Sequence, residues 1–231
     1  MISNIKTIAL NGIQGELIEV QTSVSTGLPE FSIVGLPDTS VKEAKERVKT
    51  AIKSTEIDFP SRKILINLSP ANTKKWGTSY DLPMAIGILK SLNKISNSNL
   101  ENTIFIGELS LDGKINHING ILPMCIEAFN LGIRRVILPK ANEKEASIIN
   151  GIEVVGVTSL EECIKCLNGK KDIKASNMNI INILKNNPND LIDFSEVKGQ
   201  ENVKRALEIA AAGGHNCILI GSPRLRKNNV S

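Results

Sequence analysis

The first 169 residues carry short runs of alternating apolar and polar positions, separated by segments with helical spacing. Alternating runs on both sides of Asn11-Gly12 predict a β-hairpin. After Asp38 and Thr39, either of which suits a helix N-cap, apolar residues recur at helical spacing. Charged residues between them, among them Arg47, are expected to face water. The expected buried face consists of Val41, Ala44, Val48, Ala51 and Ile52.

The same patterns predict the other elements of this part of the chain. Strands are predicted at residues 5–10, 16–24, 31–34, 63–68, 135–138 and 153–157, and a second hairpin at 103–111 and 114–118. Helices are predicted at residues 39–52, 81–92, 122–131, 142–149 and 159–167. Strands interleaved with helices predict an α/β (α+β) fold with helices packed on a mixed sheet. We expect these elements to form one N-terminal domain, residues 1–169.

The pattern changes after this domain. Residues 170–192 are rich in Lys, Asn and Ser, which is typical of a linker. A new unit is predicted over residues 193–231, beginning with an alanine-rich helix at 203–212 that Gly213-Gly214 closes. The apolar run 216–220 predicts a strand that leads into the last eleven residues.

Those last residues resemble the phosphate-binding pattern G-x-x-x-x-G-K-[ST]. Gly221 and Lys227 stand at the required separation, whereas Arg226 replaces the second glycine and Asn228 replaces the hydroxyl residue. The glycines of such a loop allow close approach to phosphate, the lysine neutralises charge, and the hydroxyl ligates Mg²⁺. The predicted degenerate Walker A site consists of Gly221, Ser222, Pro223, Arg226, Lys227 and Asn228.

Two hypotheses account for this degenerate loop. In one, a single-nucleotide frameshift begins at Arg224, because one shifted reading of suitable codons gives Gly-Ser-Gly-Lys-Thr-Met-Leu and completes an intact G-S-P-G-S-G-K-T loop. In the other, the tail of a genuine short protein has diverged. Either way, the sequence shows no Walker B carboxylate, sensor residue or arginine finger after the loop, so we expect no ATP hydrolysis by this chain.

Composition excludes several classes of protein. Hydrophobic residues make up 41% and charged residues 23%, as in soluble globular proteins, and there is neither a signal peptide nor a membrane-length apolar run. A cytoplasmic location is therefore expected. The net charge of +4 does not indicate nucleic acid by itself, and 3% aromatic content predicts no base-stacking platform. Cys163 and Cys166 lack a second pair, and His117 and His215 are isolated, so no metal site is predicted.

Several separate motifs resemble the YifB/ComM family of magnesium-chelatase-like AAA+ ATPases. They lie at residues 27–38, 67–71, 80–85, 105–113, 120–123 and 210–216. The resemblance covers residues 1 to about 223. It implies an N-terminal domain with a Lon-protease-like fold, followed by an AAA+ motor that uses ATP and Mg²⁺. It also implies a hexamer that acts on DNA as a branch-migration helicase during transformation.

The likeness to Lon proteases places Ser79 at the position of their nucleophile. In a Ser-Lys dyad a neutral lysine removes the serine proton. At the base position this sequence has Leu122, and the flanking lysines are Lys114 and Lys140. We therefore expect Ser79 to be a vestigial loop serine, with no protease activity. Asp38 is likewise assigned no chemistry beyond capping a helix.

One basic segment leaves two interpretations open. Lys74, Lys75 and Trp76 could face DNA, with lysine meeting phosphate and Trp76 stacking on a base. The favoured alternative is a solvated loop with one half-buried tryptophan.

For the intact protein we expect an ATP-driven motor that remodels DNA, of which this chain is the N-terminal portion. Two other classes stay open. One is a magnesium-chelatase-type motor subunit that acts on a tetrapyrrole partner. The other is a non-catalytic module for interaction or oligomerisation.

Overall fold

Seven strands form one mixed sheet in the computed structural model, which describes residues 2–96, 100–171, 194, 197 and 199–221. The strands are β1 (Ile2–Asn11), β2 (Gln14–Ser25), β3 (Glu30–Val34), β4 (Lys63–Ser69), β5 (Thr103–Phe105), β6 (Glu108–Leu109), β7 (Ile115–Asn116), β8 (Arg135–Pro139) and β9 (Glu153–Val157). The helices are α1 (Thr39–Lys53), α2 (Asp81–Ser91), α3 (Ile121–Asn130), α4 (Glu143–Ala146), α5 (Leu160–Leu167) and α6 (Glu201–Gly213). The sheet order is β3-β4-β2-β1-β5-β8-β9, and β6 pairs with β7 separately.

The centre of the sheet is the predicted first hairpin. β1 and β2 are antiparallel with Asn11 opposite Gln14, so Gly12 and Ile13 form the loop. Gly12 has φ of 64°, a conformation that glycine adopts readily. β2 is also antiparallel to β4, whereas the other four neighbouring pairs are parallel. The predicted α/β fold with a mixed sheet is confirmed.

Helices cover the sheet on both faces, and each face has its own core. Neighbouring residues of β5 show the division, since Phe105 belongs to one cluster and Ile104 to the other. The Phe105 cluster includes the buried faces of α1, α2 and α5, and the Ile104 cluster includes that of α3. All five residues predicted for the buried face of α1 are fully buried. Asp38 caps this helix by accepting from Val41 N–H at 2.8 Å.

Helix α2 lies directly against the hairpin, without a side chain at its point of closest approach. A Cβ at Gly87 would lie 2.5 Å from Thr22 Oγ1. Ser3 Oγ donates to the Gly87 carbonyl at 2.7 Å, and Ser91 Oγ donates to Ser3 Oγ at 3.0 Å. Small residues therefore bring α2 close to β1 and β2, and the hydroxyls of Ser3 and Ser91 are hydrogen-bonded in the contact.

The predicted strand 103–111 is wrong in its middle, where the chain leaves the sheet. β5 ends at Phe105, and Gly107 instead exchanges backbone hydrogen bonds with the start of α2. Its N–H donates to the Ser79 carbonyl at 3.1 Å, and its carbonyl accepts from Leu82 N–H at 2.9 Å. The chain then forms the short β6–β7 hairpin. These contacts with α2 replace sheet pairing at this point.

The predicted helix 142–149 is also shorter than expected: the four-residue α4 ends at Ala146, and a 3₁₀ turn over Lys140–Asn142 precedes it. Asn142 is buried at this junction. Its Oδ1 accepts from Ile118 N–H at 2.9 Å, and its Nδ2 donates to the Ile118 carbonyl at 2.8 Å. The asparagine thus fixes the loop before α3, a tertiary role that helical spacing does not predict.

Contacts between Cα atoms divide the chain into two units, residues 1–179 and 180–231. In the second unit α6 confirms the predicted alanine-rich helix, and Gly214 ends it with φ of 63°. Residues 216–220 form no strand, so that prediction is wrong. A strand requires a hydrogen-bonding neighbour, and no described strand pairs with this run. Most of the predicted linker 170–192 lies outside the described residues.

Candidate functional site

The loop between β4 and α2 contains two features for which the sequence suggested chemistry, the basic segment Lys74-Lys75-Trp76 and Ser79. It is held against the turn that precedes α1. Asp38 N–H donates to the Lys75 carbonyl at 3.0 Å, and Lys75 N–H donates to the Leu36 carbonyl at 3.1 Å. Gly35 passes close to β4, where a Cβ would lie 2.2 Å from the Leu68 carbonyl oxygen, and its φ is 97°. Only glycine suits this backbone approach.

Lys75 is buried inside this loop, which corrects both interpretations of the basic segment. Its Nζ donates to the carbonyls of Pro70 and Thr73, the latter at 2.8 Å. Burial lowers the pKa of Lys75, and nearby Glu16 opposes this shift. Glu16 also accepts from Thr73 Oγ1 at 3.0 Å. The lysine therefore anchors the loop from within and faces neither DNA nor solvent.

The remaining pair of that segment is on the surface. Trp76 is 59% exposed, rather than half-buried as expected. Lys74 Nζ lies 4.0 Å from the centre of the Trp76 ring, within the range of a cation–π contact. The sequence suggested a cationic surface made of two lysines. In the structure only Lys74 is accessible, and it is stacked on Trp76, so the cationic surface is much smaller.

Ser79 lies just before α2 and is 7% exposed. Among the described residues, no lysine amine is within hydrogen-bond distance of its hydroxyl. The two lysines that the sequence considered have carboxylate partners instead: Lys114 Nζ is 2.8 Å from Asp112, and Lys140 Nζ is 2.6 Å from Glu143. Absence of protease activity stays a prediction.

Leu122, at the position of the catalytic base in Lon proteases, lies in the first turn of α3. Its backbone N–H donates to Glu145 Oε1 at 3.2 Å. Its aliphatic side chain offers no group that could accept a proton. This helix packs with the Ile104 cluster, whereas α2 packs with the Phe105 cluster.

An ion pair that sequence reasoning missed lies two residues after Ser79. The Arg47 guanidinium donates to Asp81 Oδ2 at 2.6 Å through Nε and to Oδ1 at 3.0 Å through an Nη. Leu109 N–H donates to Asp81 Oδ2 at 3.2 Å. Burial raises the pKa of Asp81 to about 6, although Arg47 acts to lower it. Arg47 therefore does not simply face water but joins α1, α2 and β6.

One sequence signal could have revealed this pair. Asp81 is the single acid of a largely apolar helix, and a buried carboxylate requires a cationic or hydrogen-bonding partner. Beside it, Thr78 Oγ1 donates to Glu108, which also accepts from Asn116 Nδ2 at 3.0 Å. These bonds join the Ser79 loop to the β6–β7 hairpin. The arrangement positions loops and contains no nucleophile with an adjacent base.

Gly221 is the only residue of the predicted phosphate loop that the structure describes, and it is exposed. Ser222, Pro223, Arg226, Lys227 and Asn228 lie outside the described residues. Before Gly221, His215 N–H donates to the Ala210 carbonyl at 2.8 Å and closes the end of α6. The phosphate-binding roles of this segment stay predictions.

In the described part of the chain, the cysteines offer no further reactive or metal site, and no helix offers a membrane-spanning segment. Burial raises the pKa of the Cys163 thiol well above its usual range, and no cluster of three or more metal-ligating side chains is found there. Within the same residues, no helix combines the length and apolar character needed to cross a membrane.

Comparison with known proteins identifies two family matches. The family described as "Subunit ChlI of Mg-chelatase" matches residues 20–142, and "Magnesium chelatase, subunit ChlI" matches residues 193–230. The second match includes the predicted phosphate loop. Together the two matches cover residues 20–25 of β2, the Ser79 loop, the β6–β7 hairpin and the nucleotide segment as far as residue 230.

Individual relatives agree with these matches. The uncharacterized protein YifB of Escherichia coli is 38% identical over 236 residues, covering 100% of this chain and 44% of that protein. The competence protein ComM of Haemophilus influenzae is 34% identical over 221 residues, covering 95% of this chain and 43% of that protein. The chain thus spans less than half the length of these relatives. Lon protease 2 of Bacillus subtilis is 29% identical over 168 residues, covering 65% of this chain and 30% of the protease.

The α/β sheet with helices on both faces fits this relation to a Lon protease. The family matches and the near-complete coverage by YifB and ComM agree on the affiliation. The chain belongs to the magnesium-chelatase subunit ChlI family, as a YifB/ComM-like member.

Proposed function

We propose that this chain is the N-terminal portion of an ATP-driven motor that remodels DNA in transformation or recombination. The observation that carries the proposal is the similarity to a competence protein over 95% of the chain. Residues 1–169 form the Lon-protease-like module of that motor, residues 170–192 its linker, and residues 193–231 the start of its AAA+ domain. The intact protein binds DNA and assembles as a hexamer.

ATP and Mg²⁺ are the cofactors of the intact motor, and the nucleotide segment begins at Gly221. Lys227 would neutralise phosphate charge when nucleotide is bound. Arg226 places a Cβ and a long side chain where the loop requires a glycine, and Asn228 offers an amide oxygen where Mg²⁺ requires a hydroxyl. Both departures weaken the site, so we expect this chain to bind Mg·ATP poorly and not to hydrolyse it.

Nucleotide binding by two matched proteins tests this account. The chain itself is compared with the variant Arg226→Gly/Asn228→Thr, using a fluorescent ATP analogue with and without Mg²⁺. We expect the two substitutions to increase affinity ~10-fold or more, with the gain dependent on Mg²⁺ through the restored hydroxyl. Equal affinity of the two proteins would contradict the assignment of the loop.

A second candidate is a magnesium-chelatase motor subunit that acts on a tetrapyrrole, and the description of the matching family favours it. The intact gene product would then stimulate Mg²⁺ insertion into a porphyrin by partner subunits. A branch-migration assay on the same protein distinguishes the two motors. Neighbouring porphyrin-pathway genes would favour the second candidate, and competence genes the first.

A third candidate is a module for interaction or oligomerisation without catalysis. The observation in its favour is that residues 2–171 bury a core on each face of their own sheet. Light scattering coupled to size-exclusion chromatography separates a monomer from a ring. A ring formed by this chain without nucleotide would support a role in assembly.

A further inference from the structure

A cationic cleft lies between α1 and the edge strand β3, and no residue of the Ser79 loop lines it. Its volume is about 480 Å³. β3 is the outermost strand on its side of the sheet, so nothing in the described sheet covers that edge. The cations and aromatic rings that line the cleft are Phe31, Lys45, Lys49, Lys53, Phe59 and Arg62.

The cleft holds more positive than negative charge. Four cations line it, against the two acids Glu30 and Glu46. Glu30 is already engaged, with Lys63 Nζ at 3.4 Å and Ser32 Oγ at 2.6 Å. None of the four lining cations forms an ion pair with a described carboxylate. An anionic ligand would therefore find unneutralised cations in a concave site.

Three of these cations form a row on one helix. Lys45, Lys49 and Lys53 follow one another at four-residue intervals, which places them on one face of α1 with a rise of about 6 Å per step. Like charges at this spacing destabilise a helix by a few tenths of a kcal/mol per pair. A ligand with regularly spaced negative charges would relieve this repulsion.

Two aromatic rings lie beside the row. Phe31 and Phe59 have ring centroids 6.0 Å apart at an interplanar angle of 30°, and both are partly exposed. The low aromatic content predicted no base-stacking platform, yet the fold brings two of the five phenylalanines together at the cleft. Cations along a groove with neighbouring aromatic rings are the combination by which proteins bind single-stranded nucleic acid.

We propose that this cleft binds single-stranded DNA, with the α1 lysines and Arg62 contacting phosphates and the two phenylalanine rings contacting unpaired bases. The choice of DNA as the polyanion rests on the proposed function. All residues that line the cleft lie within the proposed Lon-protease-like module.

Fluorescence anisotropy with the full chain and no nucleotide tests the proposal, using a labelled oligothymidylate about 20 nucleotides long. Lys45→Gln/Lys49→Gln is compared with Lys144→Gln/Lys170→Gln, which changes the net charge equally at two exposed lysines outside the cleft. We expect the first variant to bind the oligonucleotide ~10-fold or more weakly. The slope of the logarithm of its binding constant against the logarithm of the salt concentration should fall in magnitude by about 1.4. The control is expected to stay within about twofold.

Phe59→Leu keeps an apolar side chain on the core but removes the ring. We expect it to bind ~5-fold or more weakly, with the salt slope unchanged. Thermal unfolding by circular dichroism verifies that each variant is folded. Three outcomes would overturn the proposal: no binding by the parent chain, equal losses in cleft and control variants, or displacement of the DNA by polyglutamate of equal charge as effectively as by unlabelled DNA. Because no ATP is present, these results are separate from the Mg·ATP comparison.

Discussion

The two described regions of the chain use similar sequence patterns with opposite results. In residues 2–171 each predicted strand of the main sheet finds a hydrogen-bonding neighbour, and two cores exclude water. In residues 199–221 the apolar run 216–220 has no pairing neighbour, and Ile218 and Ile220 are 85% and 94% exposed. An apolar run is therefore a strand only where other strands complete its hydrogen bonds.

The helices of the two regions differ much less. α6 forms as the sequence predicts, and a left-handed Gly214 ends it, just as Asp38 begins α1. Helical hydrogen bonds are local, so a helix can form before its partners are present. The comparison therefore separates what local sequence determines from what long-range pairing must supply, and four sets of substitutions test the separation.

The largest expected effect is at the buried ion pair of the first region. Asp81→Asn leaves the Arg47 charge without its carboxylate, and we expect a loss of about 3 kcal/mol in the free energy of unfolding. Urea denaturation near pH 7.5, where the carboxyl is ionised, measures it. Glu161→Gln breaks the exposed pair with Lys165 and is the matched control, with an expected change below about 0.5 kcal/mol. Equal effects would show that the pair does not hold the region together.

In residues 2–171 the sequence predicted features that depend on local spacing but not contacts that depend on the folded chain. Periodicity gave the buried face of α1 and the central hairpin, because both follow from local spacing. It did not show that Lys75 is buried while its neighbour Lys74 is exposed, since the cage of carbonyls around Lys75 comes from the folded loop. Nor did it place Arg47 on Asp81, 34 residues away in the sequence.

A smaller effect is expected where α2 meets β2. Gly87→Ala places a Cβ against Thr22 Oγ1, and we expect this clash to lower the free energy of unfolding by about 2 kcal/mol. The better helix propensity of alanine offsets up to about 1 kcal/mol of this loss. The Thr22 hydroxyl is buried without a hydrogen bond. Thr22→Ala should therefore relieve the clash, so that the double variant is more stable than the sum of the single changes predicts. Strict additivity in urea denaturation would contradict the close approach.

A third test concerns the start of α5. Partial burial opposes ionisation of Glu162, but hydrogen bonds from Lys171 and Thr158 lower its pKa to about 2. The lowered pKa stabilises the fold at pH values above the pKa of Glu in the unfolded chain, which is about 4.3. This stabilisation is lost as the pH falls toward 2. Glu162→Gln should therefore cost about 0.5 kcal/mol at pH 7 and nothing near pH 2. A pH-independent difference in unfolding free energy would contradict the assignment.

The smallest effect is expected in the second region. Ile218→Ser and Ile220→Ser remove apolar side chains that are already exposed, so the unfolding free energy of the sheet domain should change by less than about 0.5 kcal/mol. Ile66→Ser, in the buried part of β4, is the contrasting variant and should cost several kcal/mol. A large loss on changing Ile218 would mean that the run is buried after all.

The candidate site shows the same division between local and long-range information. The spacing of Gly221 and Lys227, and the absence of a lysine at Leu122, could be read from the chain alone. The cationic cleft could not, because Phe59 and Arg62 reach the lysine row of α1 only through the path of the chain into β4. The low aromatic content predicted no base-stacking platform, and the small net charge did not by itself indicate nucleic acid.

Amide hydrogen exchange on the intact chain tests the comparison most directly. The account predicts strong protection across β1, β2 and β4, with exchange in residues 216–220 as fast as in an unstructured peptide. Protection of residues 216–220 comparable to that of β4 would contradict it, because the run would then be paired within this chain.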